Sequence, residues 1–293
     1  MSLAPRAVLV HRRTAYEQAV ARHGTPGAAD FFLRTRGRSL DELATADEEQ
    51  RQALATVAAA VPADWRSGSV ERGELSRFLF APEDVVVVVG QDGLVANVAK
   101  YLSGQPVVGI DPAPGRNAGV LVPHHAAQAR DLLQRSTSGG PVELRTMVCA
   151  RTDDGQELHA LNEVFVGHRS HQTSRYVLGC AGRREEQASS GVVVGTGTGA
   201  TGWLASLARA RGGAALPAAT DPALAWFVRE AWPSPTTGAD LVVGSLGQDA
   251  LTLDVLSDEL VVFGDGLEED RLTVSRGQRL HVQVSDRRLA LLR

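Results

Sequence analysis

The sequence predicts an α/β N-terminal domain with a mostly parallel sheet over residues 1–138, followed by a β-rich C-terminal domain over residues 139–293. Three observations support this. Apolar runs and helical periodicities alternate through the first half, the pattern of a parallel sheet covered by helices. One of those runs is five consecutive valines, Val85 to Val89, closed by glycines. A Ser136-Thr137-Ser138-Gly139-Gly140 cluster reads as a linker, and beyond it short apolar runs with turn signals replace the alternation.

The first buried strand is expected at residues 7–10, with helices at 15–22, 28–34 and 46–61. Leu54, Val57 and Val61 share one face of the third. Residues 64–74 are mixed and polar and read as a surface excursion. The valine strand spans residues 84–89, and a Gly90-Gln91-Asp92-Gly93 turn follows it. Leu94, Val95, Val98 and Tyr101 then fall at helical spacing. A strand is expected at 105–110, a Pro/Gly/Asn-rich loop at 111–119 and a helix at 125–135.

In the second half, strands are expected at 142–150, 158–167, 174–179, 191–194, 241–243, 250–255, 260–263, 272–274, 280–284 and 289–291. Only two helices are expected there, at 201–211 and 222–230.

Composition bounds the function. The chain has 293 residues, 43% hydrophobic and 22% charged, with a formal net charge of −4. No global basic field points to nucleic acid or a membrane surface. No run of about 18 apolar residues spans a bilayer. The opening MSLAPRAVLVHRR has an apolar run too short for a secretion signal, so a cytoplasmic protein is the default. Cys149 and Cys180 form no C-x-x-C pair and read as buried free thiols. His124-His125 and His168…His171 complete no ligand set, so no metal site is expected.

Three segments could hold chemistry. A strand that breaks at glycines into a helix suits phosphate, because the first helical N–H groups are unpaired and the helix dipole is positive there. Asp92 is out of place in such a turn unless its carboxylate takes a proton from a hydroxyl; the plain alternative is an Asp-Gly turn. The second segment runs from Ser189 through Gly195-Thr196-Gly197-Thr198-Gly199-Ala200-Thr201-Gly202 to Trp203. It offers hydroxyls and close backbone approach, or else is a flexible loop whose threonine caps a helix. The third is Asn162-Glu163 in an apolar strand. If buried, the pair needs partners such as ribose hydroxyls or a nicotinamide amide; otherwise it caps the strand start. Asp265-Gly266 reads as a plain turn, with a turn that borders the site as the alternative.

Together, these segments resemble the NAD kinase family, most closely its mitochondrial type and the bacterial relatives of that type. The resemblance lies in Gly90-Gln91-Asp92-Gly93, in Ala160-Leu161-Asn162-Glu163-Val164-Phe165, in Ser189-Ser190-Gly191 followed by Thr196-Gly197-Thr198-Gly199 and Trp203, and in the loop Pro114-Gly115-Arg116-Asn117-Ala118-Gly119. It covers most of residues 80–265. It implies an NAD kinase-like fold, with a Rossmann-like parallel sheet and a β-rich NAD-binding domain, and a site in the cleft between them.

It also implies an ATP-dependent kinase that phosphorylates the 2′-hydroxyl of the adenosine ribose of NAD, giving NADP. Asp92 would be catalytic. Gly90 and Gly93 would let backbone N–H groups approach phosphate oxygens, the Gln91 side chain would either crowd the triphosphate or donate an amide hydrogen bond to it, and Arg116 would contact a phosphate. Mg²⁺ would arrive with ATP. Asn162, Glu163, Ser190, Thr196, Thr198, Gly199, Thr201 and Trp203 would hold the dinucleotide, with the Trp203 indole as a stacking face. The nucleotide substrates would be the partners, in a homodimer. Gln91 stands where the family has a second glycine, and costs roughly 1 kcal/mol if that position needs positive φ. Leu94 stands where it has a threonine, a loss of about 1 kcal/mol of cap or ligand interaction. The same motifs leave open a kinase for another nucleoside, sugar or lipid hydroxyl, and a non-catalytic NAD-binding protein.

Overall fold

The structure, a computed structural model, describes residues 4–116 and 119–293. Asn117 and Ala118 of the expected phosphate-contact loop lie outside the described residues. The chain divides into two compact units. The first comprises Met1–Val98, Gln105–Glu143 and Ala290–Arg293; the second comprises Ala99–Gly104 and Leu144–Leu289. The change of unit falls at 143/144 rather than 138/139, and each unit takes one short segment from beyond that boundary.

The first unit is α/β. It contains β1 (Arg6–His11), α1 (Ala15–His23), α2 (Pro26–Arg34), α3 (Leu40–Ala60), β2 (Arg66–Glu71), β3 (Asp84–Val89), α4 (starting at Asp92 and ending at Ala99), β4 (Pro106–Asp111), β5 (His124–His125) and α5 (Ala129–Thr137). The strands run in the order β2-β1-β3-β4, with β5 beside β4, and every pairing is parallel. Residues of β3 are buried at all six positions. A parallel strand buried on both faces has no solvent side, which accounts for the unbroken valines. Ala53 and Val57 of α3 and Leu132 and Leu133 of α5 pack with Val85, Val87 and Val89 in one core.

The helix starts follow local chemistry. Thr14 and Glu17 form a reciprocal capping box, Thr25 caps α2 ahead of Pro26, and Ser39 caps α3. The Ser39 cap starts α3 at Leu40, six residues before the expected start. Asp84, fully buried at the head of β3, is held by Arg6 Nε at 2.7 Å and Nη2 at 2.6 Å.

Residues 64–74 correct the sequence reading. They contain β2, a parallel edge strand, followed by a 3₁₀ turn at Arg72–Arg77. An edge strand with a polar outer side carries little hydropathy signal. Residues 136 and 137, expected in a linker, end α5 instead.

The second unit is an antiparallel sandwich. It contains most of β6 (Val142–Thr152), then β7 (Glu157–Ala160), β8 (Glu163–Gly167), β9 (Ser174–Cys180), β10 (Arg183–Ser189), β11 (Val192–Gly195), α6 (Trp203–Ala210), β12 (Leu224–Val228), β13 (Val243–Leu246), β14 (Leu251–Val255), β15 (Glu259–Gly264), β16 (Leu272–Ser275) and the body of β17 (Arg279–Leu292). One sheet has the order β10-β9-β14-β17, with β6 pairing β17 and β7. The other has the order β13-β12-β11-β8-β15-β16. Tyr176, Leu178, Leu253 and Val282 from the first sheet meet Val164, Val192, Trp226 and Val262 from the second in a shared core. On the outer side of the second sheet, Leu204 and Ala208 of α6 pack with Phe165, Val193 and Phe227.

The structure departs from the sequence reading at several places here. Residues 222–230 are not helical: Leu224-Ala225-Trp226-Phe227-Val228 is the fully buried strand β12. A short continuous apolar run has no period that separates strand from helix. Residues 158–167 are two strands, β7 and β8, broken at Leu161-Asn162 where the chain changes sheet. Residues 183–189 form a strand whose charges hid it, as is common at sheet edges. Cys149 is buried as expected, whereas Cys180 is half-buried; both are free thiols. No helix among the described residues is long and apolar enough to cross a membrane.

Candidate functional site

In the first unit, β3 delivers the chain to the Gly90–Gly93 turn. Gln50 Nε2 donates to the Val89 carbonyl at 2.9 Å. Gly90 N–H donates to the Ile110 carbonyl of β4 at 3.0 Å. That N–H is committed to the sheet. Gln91 is exposed and is not among the residues at positive φ, so the anticipated backbone cost does not arise. Gly93 is exposed, and a Cβ there would meet nothing within 4 Å. Leu94, in place of a hydroxyl residue, is 3% exposed and packs inward.

Asp92 opens α4 and is partly buried. Its Oδ1 accepts from Leu121 N–H at 2.8 Å and its Oδ2 from Val120 N–H at 3.1 Å. The same segment crosses Gly109 of β4, where a Cβ would lie 1.9 Å from the Leu121 carbonyl oxygen. The carboxylate therefore clasps the loop after β4. Each oxygen keeps a further acceptor site beyond these single bonds. Arg116, the candidate phosphate contact, is paired with Glu49 of α3, with Nη1 3.1 Å from Oε2 and Nη2 3.1 Å from Oε1.

In the second unit, Asn162 and Glu163 meet the threonine-glycine loop. Asn162 carbonyl accepts from Thr196 N–H at 2.9 Å, and Thr196 Oγ1 donates to the Leu161 carbonyl at 2.6 Å. Thr198 N–H in turn donates to Thr196 Oγ1 at 3.1 Å. A Cβ on Gly199 would lie 2.6 Å from the Asn162 carbonyl oxygen and 3.1 Å from Glu163 Oε2. The loop is folded against the Asn-Glu pair rather than loose. Thr198 is buried and accepts from Arg145 Nη1 at 3.4 Å. Thr201 is exposed and donates to the Thr198 carbonyl at 3.4 Å. Gly202 caps α6 with no side-chain hydrogen bond, so a threonine cap does not explain the loop.

Asp265 is the residue whose role the sequence reading underrated. It is no plain turn residue. From a left-handed backbone (φ 52°), its Oδ2 accepts from Leu161 N–H at 2.8 Å, and its Oδ1 from Asn162 and Glu163 N–H at 2.7 and 3.3 Å. It thus pairs the amides freed where β7 breaks into β8. Loss of water around the carboxylate, only partly offset by these amides and by Lys100, pushes its pKa up to about 6. Burial, with the neighbouring Asp265 charge, pushes Glu163 up to about 7. Lys100 is buried and pairs with Asp270 at 2.7 Å. The only sequence signal for Asp265 was Asp-Gly after a strand, which any turn shares.

Ser190 and Trp203, which bracket the loop in sequence, line one cavity of about 650 Å³. Phe165 lies nearly parallel to Trp203 (22°), with centroids 5.9 Å apart, and Phe263 packs on Phe165 at 5.1 Å. Arg229 holds its guanidinium 5.5 Å from the Trp203 ring. Arg169 and Arg271 also line the cavity, as does Glu268. Asn162, Glu163, Thr196, Thr198, Gly199 and Thr201 do not. An aromatic wall with guanidinium groups around it suits a planar ring that carries anionic groups.

A scan against protein-family models finds no match for this chain, and a search of curated proteins finds none.

Proposed function

We propose that this protein is an NAD kinase-like phosphotransferase that transfers the γ-phosphoryl group of ATP to the 2′-hydroxyl of the adenosine ribose of NAD, giving NADP. The observation that carries the reading is the aromatic and arginine-lined cavity holding Ser190 and Trp203 beside a threonine-glycine loop folded on Asn162 and Glu163. A dinucleotide needs a stacking face, cations for its diphosphate and polar groups for its riboses, and this unit supplies all three. Glu163, near half-protonated at neutral pH, can accept from or donate to a ribose hydroxyl. The α/β unit, with a Rossmann-like parallel sheet, and the antiparallel unit agree with an NAD kinase-like fold.

In this reading Asp92 accepts the proton of the attacking hydroxyl through a lone pair left by its amide bonds. The oxygen then bonds to the γ-phosphorus and ADP leaves. Mg²⁺ bound to ATP would neutralise the phosphates, since phosphoryl transfer rests on positioning and charge stabilisation. The same reading makes the protein a cytoplasmic homodimer with nucleotide substrates. One observation favours a non-catalytic NAD-binding protein instead: both Asp92 oxygens already accept amide N–H groups.

Calorimetric titration with NAD tests the binding half of the proposal. Wild-type protein is expected to bind NAD, and Trp203→Ala to bind it roughly 5- to 150-fold more weakly, in keeping with roughly 1–3 kcal/mol for a base stacked on an aromatic side chain. Equal affinities would remove Trp203 from the site, and no binding to wild type would sink the proposal.

A further inference from the structure

Across the β6–β7 hairpin, Cys149 stands directly opposite His159, and Arg151 opposite Glu157. Side chains two apart on a strand share a face, so Cys149, Glu157 and His159 converge on one side of the hairpin. The alternate residues Val148, Ala150, Leu158 and Ala160 fill the sandwich core from the other side. The Cys149 sulfur, a Glu157 carboxylate oxygen and a His159 ring nitrogen all lie within 4.8 Å of one another. Cys149 is 3% and His159 5% exposed, while Glu157 opens to solvent and pairs with Arg151.

His159 supplies the second observation. Its Nδ1 lies 2.9 Å from Ser285 Oγ, which fixes the ring. Its Nε2 is buried with no hydrogen-bond partner, 3.4 Å from Glu157 Oε2. A buried ring nitrogen left without a hydrogen bond needs an explanation.

We propose that Cys149, Glu157 and His159 form a three-ligand site for a borderline divalent metal ion of the zinc type, with a fourth position for water. Thiolate, imidazole and carboxylate are the zinc ligand classes, whereas Mg²⁺ and Ca²⁺ favour all-oxygen sets. Ser285 is the outer partner that orients the ligating imidazole. On binding, Cys149 gives its thiol proton to solvent and Glu157 leaves Arg151. The two anionic ligands then balance the ion's charge. Ten residues separate Cys149 from His159 in the chain, and the hairpin pairing, rather than a linear motif, brings them together.

Cobalt titration of the untagged, metal-stripped full chain tests the site, because Co²⁺ bound to thiolate gives a charge-transfer absorption. One equivalent of Co²⁺ with that band is expected. The band should survive Cys180→Ser and vanish in Cys149→Ser, and Zn²⁺ should displace the cobalt. Ser285→Ala should weaken binding about tenfold. The chain has two cysteines, so wild type and Cys180→Ser assign the thiolate even if Cys149→Ser does not fold. Absence of a thiolate band in wild type, or its loss in Cys180→Ser, would overturn the site.

Discussion

Glu163 and Asp265 share one neighbourhood, and both titrate upward, to about 7 and about 6. Their ordinary values lie at 4.5 and 3.8, so the folded protein holds more protons than the unfolded chain between about pH 4 and 7. Stability must then fall as pH rises through that window. Replacing Glu163 with glutamine removes its share of the penalty. Glu163→Gln should be more stable than wild type at pH 8, by on the order of 2 kcal/mol, and the difference should shrink towards pH 5. Urea melts at the two pH values read it, and a difference independent of pH would contradict the assignment. At this scale the sequence shows which polar residues are out of place, as with Asn162-Glu163 in an apolar strand. It does not show their partners, because Asp265 lies about a hundred residues downstream of the amides it accepts.

The first-unit turn is an element held by two devices, the Asp92 clasp on Val120 and Leu121 and the bare surface of Gly109 beneath the same segment. Gly109→Ala forces a Cβ to within 1.9 Å of the Leu121 carbonyl oxygen, so the loop must move. We expect a loss of about 3 kcal/mol, a large effect for one methyl group. Gly93→Ala, with open space around it, should instead be neutral or stabilising by up to about 1 kcal/mol, as in any exposed helical turn. Thermal melts of the pair decide this, and similar behaviour of the two variants would refute the role of Gly109. The valine strand and its helix were legible because burial on both faces leaves an unmistakable run. β12 was misread for the same reason: Leu-Ala-Trp-Phe-Val is apolar throughout and carries no period. β2 and β10 escaped notice because polar edge strands gain their order from a neighbour's backbone.

For the whole molecule, the change of character near residue 140 is physical. The strands before it pair in parallel and need crossovers, while those after it pair antiparallel, apart from Ala290 and Leu291 at the end of β17, which pair β4 in parallel. Composition and periodicity show that change directly. They do not show that Ala99–Gly104 and Ala290–Arg293 each belong to the other unit, since that depends on long-range packing alone. The candidate site residues follow the same division. Asn162, Glu163, Thr196, Thr198 and Gly199 come together by hydrogen bonds and close backbone contact in the second unit, and Ser190 and Trp203 share its cavity. Arg116 is turned to Glu49 in the first.

The proposed chemistry rests on Asp92, which must serve as loop clasp and proton acceptor together. A coupled assay of NADP formation from NAD and Mg-ATP, run on wild type and Asp92→Asn with the folded fraction of each measured by melting, tests that claim most directly. NADP formation by wild type and a fall of at least a hundredfold in folded Asp92→Asn are expected, in line with the loss of a general base. No NADP from wild-type protein that binds NAD, or near-normal turnover by Asp92→Asn, would contradict it.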